Sequence, residues 1–436
     1  MKEGGHMKFI KKYFSMYTNL PKEIYVLAFG RIMTSMGALI WPMFTLIMSE
    51  KLGLSGETIG LYMMMISMFM GPFYLIGGKL ADKYNKKHII VTFDLIGNSL
   101  YLICAFIPIS MTTLYILAIA SLFQSMEHPS YDALIADLTN YKDRERAYSL
   151  NYLAMNLGLV LAPTIGGFLF NDYLNISFLI NGLADLSSTL LILFGIKMVK
   201  IQCDDCMMNE YEHEYSGSVW NLFKERKLFF VLVIISGFSA LIYNQFNFLM
   251  PLHMESAFQG SGALKFGLLT SINAIVVVIG TPILTHLLRR VIDVKLMYLG
   301  QLFQSLGLGC FIFVSHNFSV AIFGMIVFTL GEVLHSISKT PYLTKRIPAT
   351  HRGRMISITT SLASLVGILS NYVIGIMIDF YTFNIIWKII GLIGIVLMIL
   401  FTLYLKMDKR AYPNLYKKRV VITKKRLYVF IYDRVF

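Results

Sequence analysis

Apolar runs of roughly 18 to 25 residues, each long enough to cross a bilayer as a helix, recur along the whole chain between short polar stretches. They predict spans at 23–48, 57–78, 89–109, 112–137, 148–170 and 175–197, then at 228–250, 264–288, 294–314, 319–339, 355–377 and 384–405. A barrel would need alternating segments of about ten residues, which are absent. The expected fold class is an all-α membrane protein with twelve transmembrane helices. Its longest internal polar stretch falls after the sixth span, which divides the chain into a segment 1–22, a six-helix bundle 23–197, a linker 198–227, a second bundle 228–405 and a tail 406–436.

Composition agrees with this pattern, since 56% of the 436 residues are hydrophobic and only 15% charged. The net charge of +14 would suit a nucleic-acid binder if it were spread over one face. It is not. Every Lys and Arg except Arg31, Lys51, Lys265 and Lys388 falls in the tails, in the loops on one side of the predicted spans, or at the span ends that border those loops. By the positive-inside rule that side is cytoplasmic and both termini lie there, so topology and contact with anionic lipid explain the charge. No nucleic-acid partner is expected.

The two halves share a trace of sequence. DRERAYSL at 143–150 aligns with HRGRMISI at 351–358, an offset of 208, and each begins a predicted helix, the fifth and the eleventh. Two bundles related by pseudo-symmetry are a known transporter architecture. Between the second and third spans the chain reads GPFYLIGGKLADKYNKKH over 71–88, which sets an acid among cations at the membrane boundary.

On these residues the chain resembles the major facilitator superfamily, and within it the twelve-helix drug:proton antiporter branch. Gly78, Leu80, Ala81, Asp82, Lys83, Lys86 and Lys87 match the family's loop motif after the second helix, with Asn85 where glycine is usual. Asn tolerates the left-handed backbone that glycine would supply. Gly158, Ala162, Pro163, Gly166 and Gly167 resemble the antiporter-associated pattern on the fifth helix, with Ala162 replacing one glycine. Small residues at that spacing permit close helix approach, and Pro163 permits a bend. The resemblance implies the major facilitator fold, secondary transport by alternating access, and a conformational latch formed by Gly78, Asp82, Lys83, Lys86, Lys87 and Asp137. In it Asp137 meets the lysines, and Asp82 meets the start of the eleventh helix. The fourth helix lacks the arginine of the family's proton-linked motif, and the first reads GRIMTS at 30–35, without the glutamate-rich signature of the peptide-transporter branch.

Charged groups deep in a span are functional candidates until a partner or an aqueous cavity explains them. Arg31 lies about eight residues, or ~12 Å, inside the first span. Glu127 and Asp132 bracket that depth on the fourth, which suggests a pair facing the central cavity. Glu332 and His335, three residues apart on the tenth span, share a helical face. Tyr243, Asn244 and Asn247 form a polar cluster on the seventh, just before Pro251. Each set reads either as substrate binding and proton coupling or as internal packing and ion pairing. Asp94 and Asp185 are also intramembrane acids, with no role assigned.

The methionines at 63, 64, 65, 68 and 70 read as core filling. Cys203 and Cys206 with His213 are too sparse for a zinc site, and four cysteines make no disulfide framework. No metal or cofactor is expected. There is no phosphate-binding loop for ATP hydrolysis, and no enzymatic activity is expected. No cleavable signal peptide is evident; MKEGGH at 1–6 fits translation through a bacterial ribosome-binding sequence, with Met7 as the start.

The sequence thus points to a monomeric, multi-pass bacterial cell-membrane transporter. The expected activity is proton-coupled export of drug-like or amphiphilic small molecules. A specific metabolite, sugar or lysophospholipid transporter, or a non-transporting receptor of the same fold, remain the alternatives.

Overall fold

The computed structural model describes residues 17–139, 141–196, 227–288, 291–315, 317–347 and 352–416. The linker, with Cys203, Cys206 and His213, and the tail beyond 416 lie outside them. In hydrocarbon every backbone amide must find its partner within its own segment, and the described residues are accordingly helical, with no strand among them. The first half comprises α1 (Lys22–Gly37), α2 (Ile40–Leu46), α3 (Gly56–Lys83), α4 (Lys86–Phe106), α5 (Met111–Asp137), α6 (Tyr141–Gly158), α7 (Ala162–Leu169) and α8 (Leu174–Gly195). The second comprises α9 (Leu228–Asn244), α10 (Leu249–Ala257), α11 (Gly262–Leu288), α12 (Asp293–Gly309), α13 (Phe318–Thr344), α14 (Arg352–Phe380), α15 (Phe383–Ala411) and the short α16 (Pro413–Tyr416).

Among the described residues, eleven helical stretches are long and apolar enough to cross a membrane. The twelfth predicted span is α5, whose 27 residues suffice in length and whose Glu127, His128, Asp132 and Asp137 lower its hydropathy. Three spans are interrupted. The first breaks between α1 and α2, the fifth between α6 and α7, and the seventh between α9 and α10. Pro163 starts α7 where its missing N–H costs nothing. The breaks in the first and seventh spans coincide at offsets of 207 to 209 residues, close to the sequence repeat.

The helix ends follow local chemistry. Ser55 caps α3 by accepting from the Thr58 amide, and Asn317 caps α13 by accepting from Ser319. Asn85 corrects one expectation. Its φ is −66°, not left-handed, and its side chain accepts from the Lys87 amide at 3.0 Å, so it starts α4 as an N-cap. The last span also runs on to Ala411, past the expected boundary at 405. Beyond it Arg346 and Asp408, both almost wholly buried, form a bidentate pair at 3.0 and 2.9 Å, with Tyr342 and Tyr416 donating to the same carboxylate. Breaking such a buried pair from one side costs about 3–5 kcal/mol.

The halves meet mainly at the end away from the basic loops. There α3 packs on α14, α7 on α11 and α2 on α10. A Cβ at Gly60 would lie 2.5 Å from the Asn371 carbonyl, and one at Gly167 would lie 2.5 Å from the Ala263 carbonyl. These helices therefore touch backbone to backbone. Asp379, at the C-terminal end of α14, accepts from the Gly56 amide at 2.7 Å and from the Glu57 amide at 2.9 Å, capping α3 across the interface. Thr164 and Ser271 hydrogen-bond at 2.7 Å, and Asn171 donates to the Gly260 carbonyl at 3.0 Å. A cleft of about 490 Å³ lined by Ser49, Glu50, Gly56, Leu252, Glu255 and Phe383 sits at this end.

Toward the basic end the same helices lose that contact. From Met68 to Ile76 every α3 residue is exposed or half-buried, Gly71 has no neighbour that a Cβ would meet, and Leu362, Leu365 and Leu369 of α14 are exposed. The methionine stripe is therefore only partly core, since Met65 and Met68 point outward. Gly60→Leu is expected to wedge α3 from α14. Electron-resonance distance measurements between spin labels at Lys51→Cys and Tyr381→Cys should then show a longer separation than in the parent; an unchanged distance would refute the backbone-contact account.

Candidate functional site

Glu332 forms the centre of the best-defined polar site. One helical turn along α13 from Phe328 and Thr329, it receives two neutral donors: the Tyr243 hydroxyl at 2.9 Å on Oε1 and the Asn273 amide at 2.7 Å on Oε2. Asn273 also donates to Thr329 Oγ1 at 3.0 Å, while Thr329 donates back to the Met325 carbonyl. Phe328 stacks on Tyr243 and packs against Phe246, which in turn meets Phe266, so aromatic rings from α9, α11, α13 and the α9–α10 break wall the carboxylate. From the first half Tyr152 comes within interaction range of Ser336 and Glu332. No cation lies within ion-pair distance of Glu332 among the described residues.

His335 does not join this group. Its backbone packs against Gly300 of α12, and its buried Nδ1 has no hydrogen-bond partner. Asn244 lies against Gly367 of α14, and Asn247 is exposed at the α9–α10 break. Gln245, between them, is fully buried and donates to Ser370 Oγ at 3.3 Å. Of the seventh-span cluster, then, only Tyr243 reaches Glu332.

Arg31 stands differently from the expected ion pair. Its guanidinium lies 4.5 Å from the centroid of the Tyr131 ring, its Nε is buried without a partner, and neither Glu127 nor Asp132 is within ion-pair distance. Tyr131, one turn beyond Glu127, donates to the Leu27 carbonyl at 2.8 Å and so holds its ring against α1 where a carboxylate would otherwise sit. Glu127 is buried, whereas Asp132 is exposed.

At the basic end Lys86 pairs with Asp137 at 2.8 Å, and Lys87 donates to the Ile196 carbonyl at 2.9 Å. Both contacts stay within the first half. They brace α4 against α5 and the end of α8, and do not themselves join the halves. Lys83 lies 5.4 Å from the ring of its neighbour Tyr84. The Asp82 side chain and those of 352–357 fall outside the described residues. At the loop-motif glycines, Gly77 abuts the Met126 carbonyl, whereas a Cβ at Gly78 would meet only Pro129, at 4.0 Å. On the fifth span the small residues divide their work. Gly158 and Gly166 pack on the first span, Gly167 crosses to α11, and Ala162 and Pro163 are buried at the break.

The major facilitator profile matches residues 26–370 and 232–432, spanning both halves. The chain belongs to the Major Facilitator Superfamily. Among its relatives in the superfamily is the MFS-type transporter YqjV of Bacillus subtilis, 25% identical over 70% of this chain and 73% of that protein. A Na(+), Li(+), K(+)/H(+) antiporter of Planococcus maritimus is 20% identical over 86% of this chain and 94% of its own length. The quinolone resistance protein NorA of Staphylococcus aureus is 30% identical over a shorter match, 34% of this chain and 39% of that one. Among solved structures, a peptide transporter POT in complex with alafosfalin superposes with a TM-score of 0.71 at 16% identity, covering 89% of this chain and 95% of that one. At that identity the likeness carries the fold alone. This member of the superfamily is a multi-pass membrane transporter of small molecules and not an enzyme.

Asn273, Thr329 and Asp379 escaped the sequence reading. An inventory of every polar residue deep in an apolar run would have flagged Asn273; nothing local marks Asp379 as a partner of α3. If Tyr243 and Asn273 act as a unit on Glu332, then Tyr243→Phe and Asn273→Ala will each lower thermal stability. Their double-mutant cycle should return a coupling of about 0.5–3 kcal/mol; strict additivity would mean that they hold Glu332 independently.

Proposed function

We propose that this transporter exports amphiphilic or drug-like small molecules in exchange for protons, by rocking its two bundles around the Glu332 site. The observation that carries the reading is the Glu332 carboxylate itself. It lies within a span, is held by two neutral donors and, among the described residues, has no cation at ion-pair distance. A carboxylate so placed is costly when ionised, so taking up a proton and binding a solute or cation are its two routes to neutrality. The surrounding rings of Tyr243, Phe246 and Phe328 offer the apolar surface that an amphiphile needs. NorA, a quinolone resistance protein, and the cation/proton antiporter of Planococcus maritimus are relatives whose names accord with export and with proton exchange.

The distribution of cations supports a cytoplasmic position for the basic loops and for both termini in a bacterial cell. On this reading the conformation is inward-facing: Asp379 and the glycine contacts close the outer end, and α3 and α14 separate toward the inner one. The latch at Asp82 and the Asp379 cap form a complementary pair. Asp82, at the inner end of α3, faces the start of α14 in the outward-facing state, while Asp379, at the outer end of α14, meets the start of α3 in this one. The dipole of a helix start favours an anion in both positions. The linker 198–227 tethers the two bundles, and a single chain completes the pathway.

A second reading, exchange of monovalent cations for protons, draws on the Planococcus relative, which matches over 94% of its length. Proteoliposomes carrying an imposed pH gradient separate the two. Gradient-driven movement of a fluorescent amphiphile such as ethidium is expected in the parent, and Glu332→Gln should lower it about tenfold or more while leaving gradient-independent counterflow in place. Amphiphile movement that ignores the gradient, or Glu332→Gln transport equal to the parent's, refutes proton-coupled export; gradient-driven sodium movement without amphiphile movement selects the second reading.

A further inference from the structure

The first half encloses three carboxylates on three helices that the Glu332 site does not use: Asp94 on α4, Glu127 on α5 and Asp185 on α8. Each is within electrostatic range of the other two. Asp185 is 6% exposed; its Oδ2 accepts from Asn181 at 2.8 Å, and its Oδ1 is buried with no partner at all. Asp94 Oδ2 lies 3.1 Å from Thr189 Oγ1, which is also 2.9 Å from the Asp185 carbonyl. One hydroxyl proton cannot serve both acceptors. Glu127 is 7% exposed and receives no side-chain donor among the described residues.

Arg31 of α1 is the cation facing this group, and it spends its guanidinium face on Tyr131. The other titratable groups near the three acids are Tyr101, beside Asp185, and Cys104 on α4, and His128, Tyr131 and Asp132 on α5. His128 and Asp132 are exposed and Tyr131 is committed to the Leu27 carbonyl. With all three acids ionised, one arginine leaves an excess of negative charge within the bilayer, the arrangement a membrane protein tolerates least. The fold does not impose it. At offsets of 207 to 209 residues the second half has Gln301 to Phe303, Leu334 to Ser336 and Leu392 to Gly394, with no acid among them. No three of the described His, Cys, Asp and Glu residues converge closely enough to hold a metal ion.

We propose that Asp94, Glu127 and Asp185 form a second proton-binding site, within the first bundle and separate from Glu332. The assignment rests on the proton-coupled reading and extends it, because the transporter then carries protons on both bundles. The proton sits on an acid whose second oxygen has no donor, as Asp185 Oδ1 has none, and Arg31 compensates the acid that remains ionised. No covalent chemistry is involved; a proton passes from water to a carboxylate oxygen and back.

Equilibrium proton uptake tests this without transport. Purified detergent-solubilised protein in the Glu332→Gln background is taken from about pH 9 to about pH 5.5 in weak buffer, with and without Asp185→Asn, using monodisperse elution as the folding check. An ordinary aspartate stays ionised over that range, so an intact cluster should take up about one proton per chain more than the variant. Asp94→Asn and Glu127→Gln provide the same comparison if Asp185→Asn does not fold. Equal uptake in the parent and in every folded variant overturns the proposal. Proton release on replacing choline chloride with sodium or lithium chloride at constant ionic strength overturns it too, since the site would then be one for alkali ions. Because uptake is read at equilibrium, loss of amphiphile transport in vesicles would leave this result standing, and the two failures remain distinct.

Discussion

Two bundles can rock against each other only if what joins them is thin and easily remade, and here the junction away from the basic loops consists largely of helix backbones in direct contact. Gly56, Gly60 and Gly375 bring α3 and α14 together, and Gly167 and Gly267 do the same for α7 and α11. Such surfaces slide or part without repacking large side chains. The polar contacts there, from Asp379 to the α3 amides and from Thr164 to Ser271, are few and directional. They register the closed end and are compatible with its reopening, because water can satisfy each group once it is exposed.

Rigidity is invested elsewhere. The Arg346–Asp408 pair and its tyrosines fasten α13 to α15 at the basic end of the second half, and Lys86–Asp137 ties α4 to α5 in the first. Each bundle is thereby braced within itself. The distinction matters for the loop motif after α3, because its Lys86 and Lys87 contact Asp137 and Ile196 of their own bundle and do not reach the other one.

The Glu332 site uses the same economy. Tyr243, Asn273 and Thr329 come from three helices, and the α9–α10 break brings Phe246 beside them. A neutral donor shell keeps the acid in place without fixing its charge, whereas an arginine partner would bind it as a permanent anion. The Asp94, Glu127 and Asp185 group is likewise short of cations, which is why both bundles are read as proton-binding.

The sequence by itself determined the class, the spans and the duplication, because hydropathy and helix length are local properties and a bilayer has a fixed thickness. It also marked Glu332 and Tyr243, since a charge or a polar cluster in an apolar run stands out without knowledge of its neighbours. It could not determine which groups meet. Arg31 and Glu127 lie at matching depths, yet Tyr131 occupies the space between helices and takes the guanidinium; Glu332 and His335 are three residues apart, yet turn to different neighbours. Asn273 and Asp379 find their partners 59 and 323 residues away. Depth and periodicity are written in one helix at a time, while rotation about each helix axis, and hence the choice of partner, was decided only when twelve spans packed against one another.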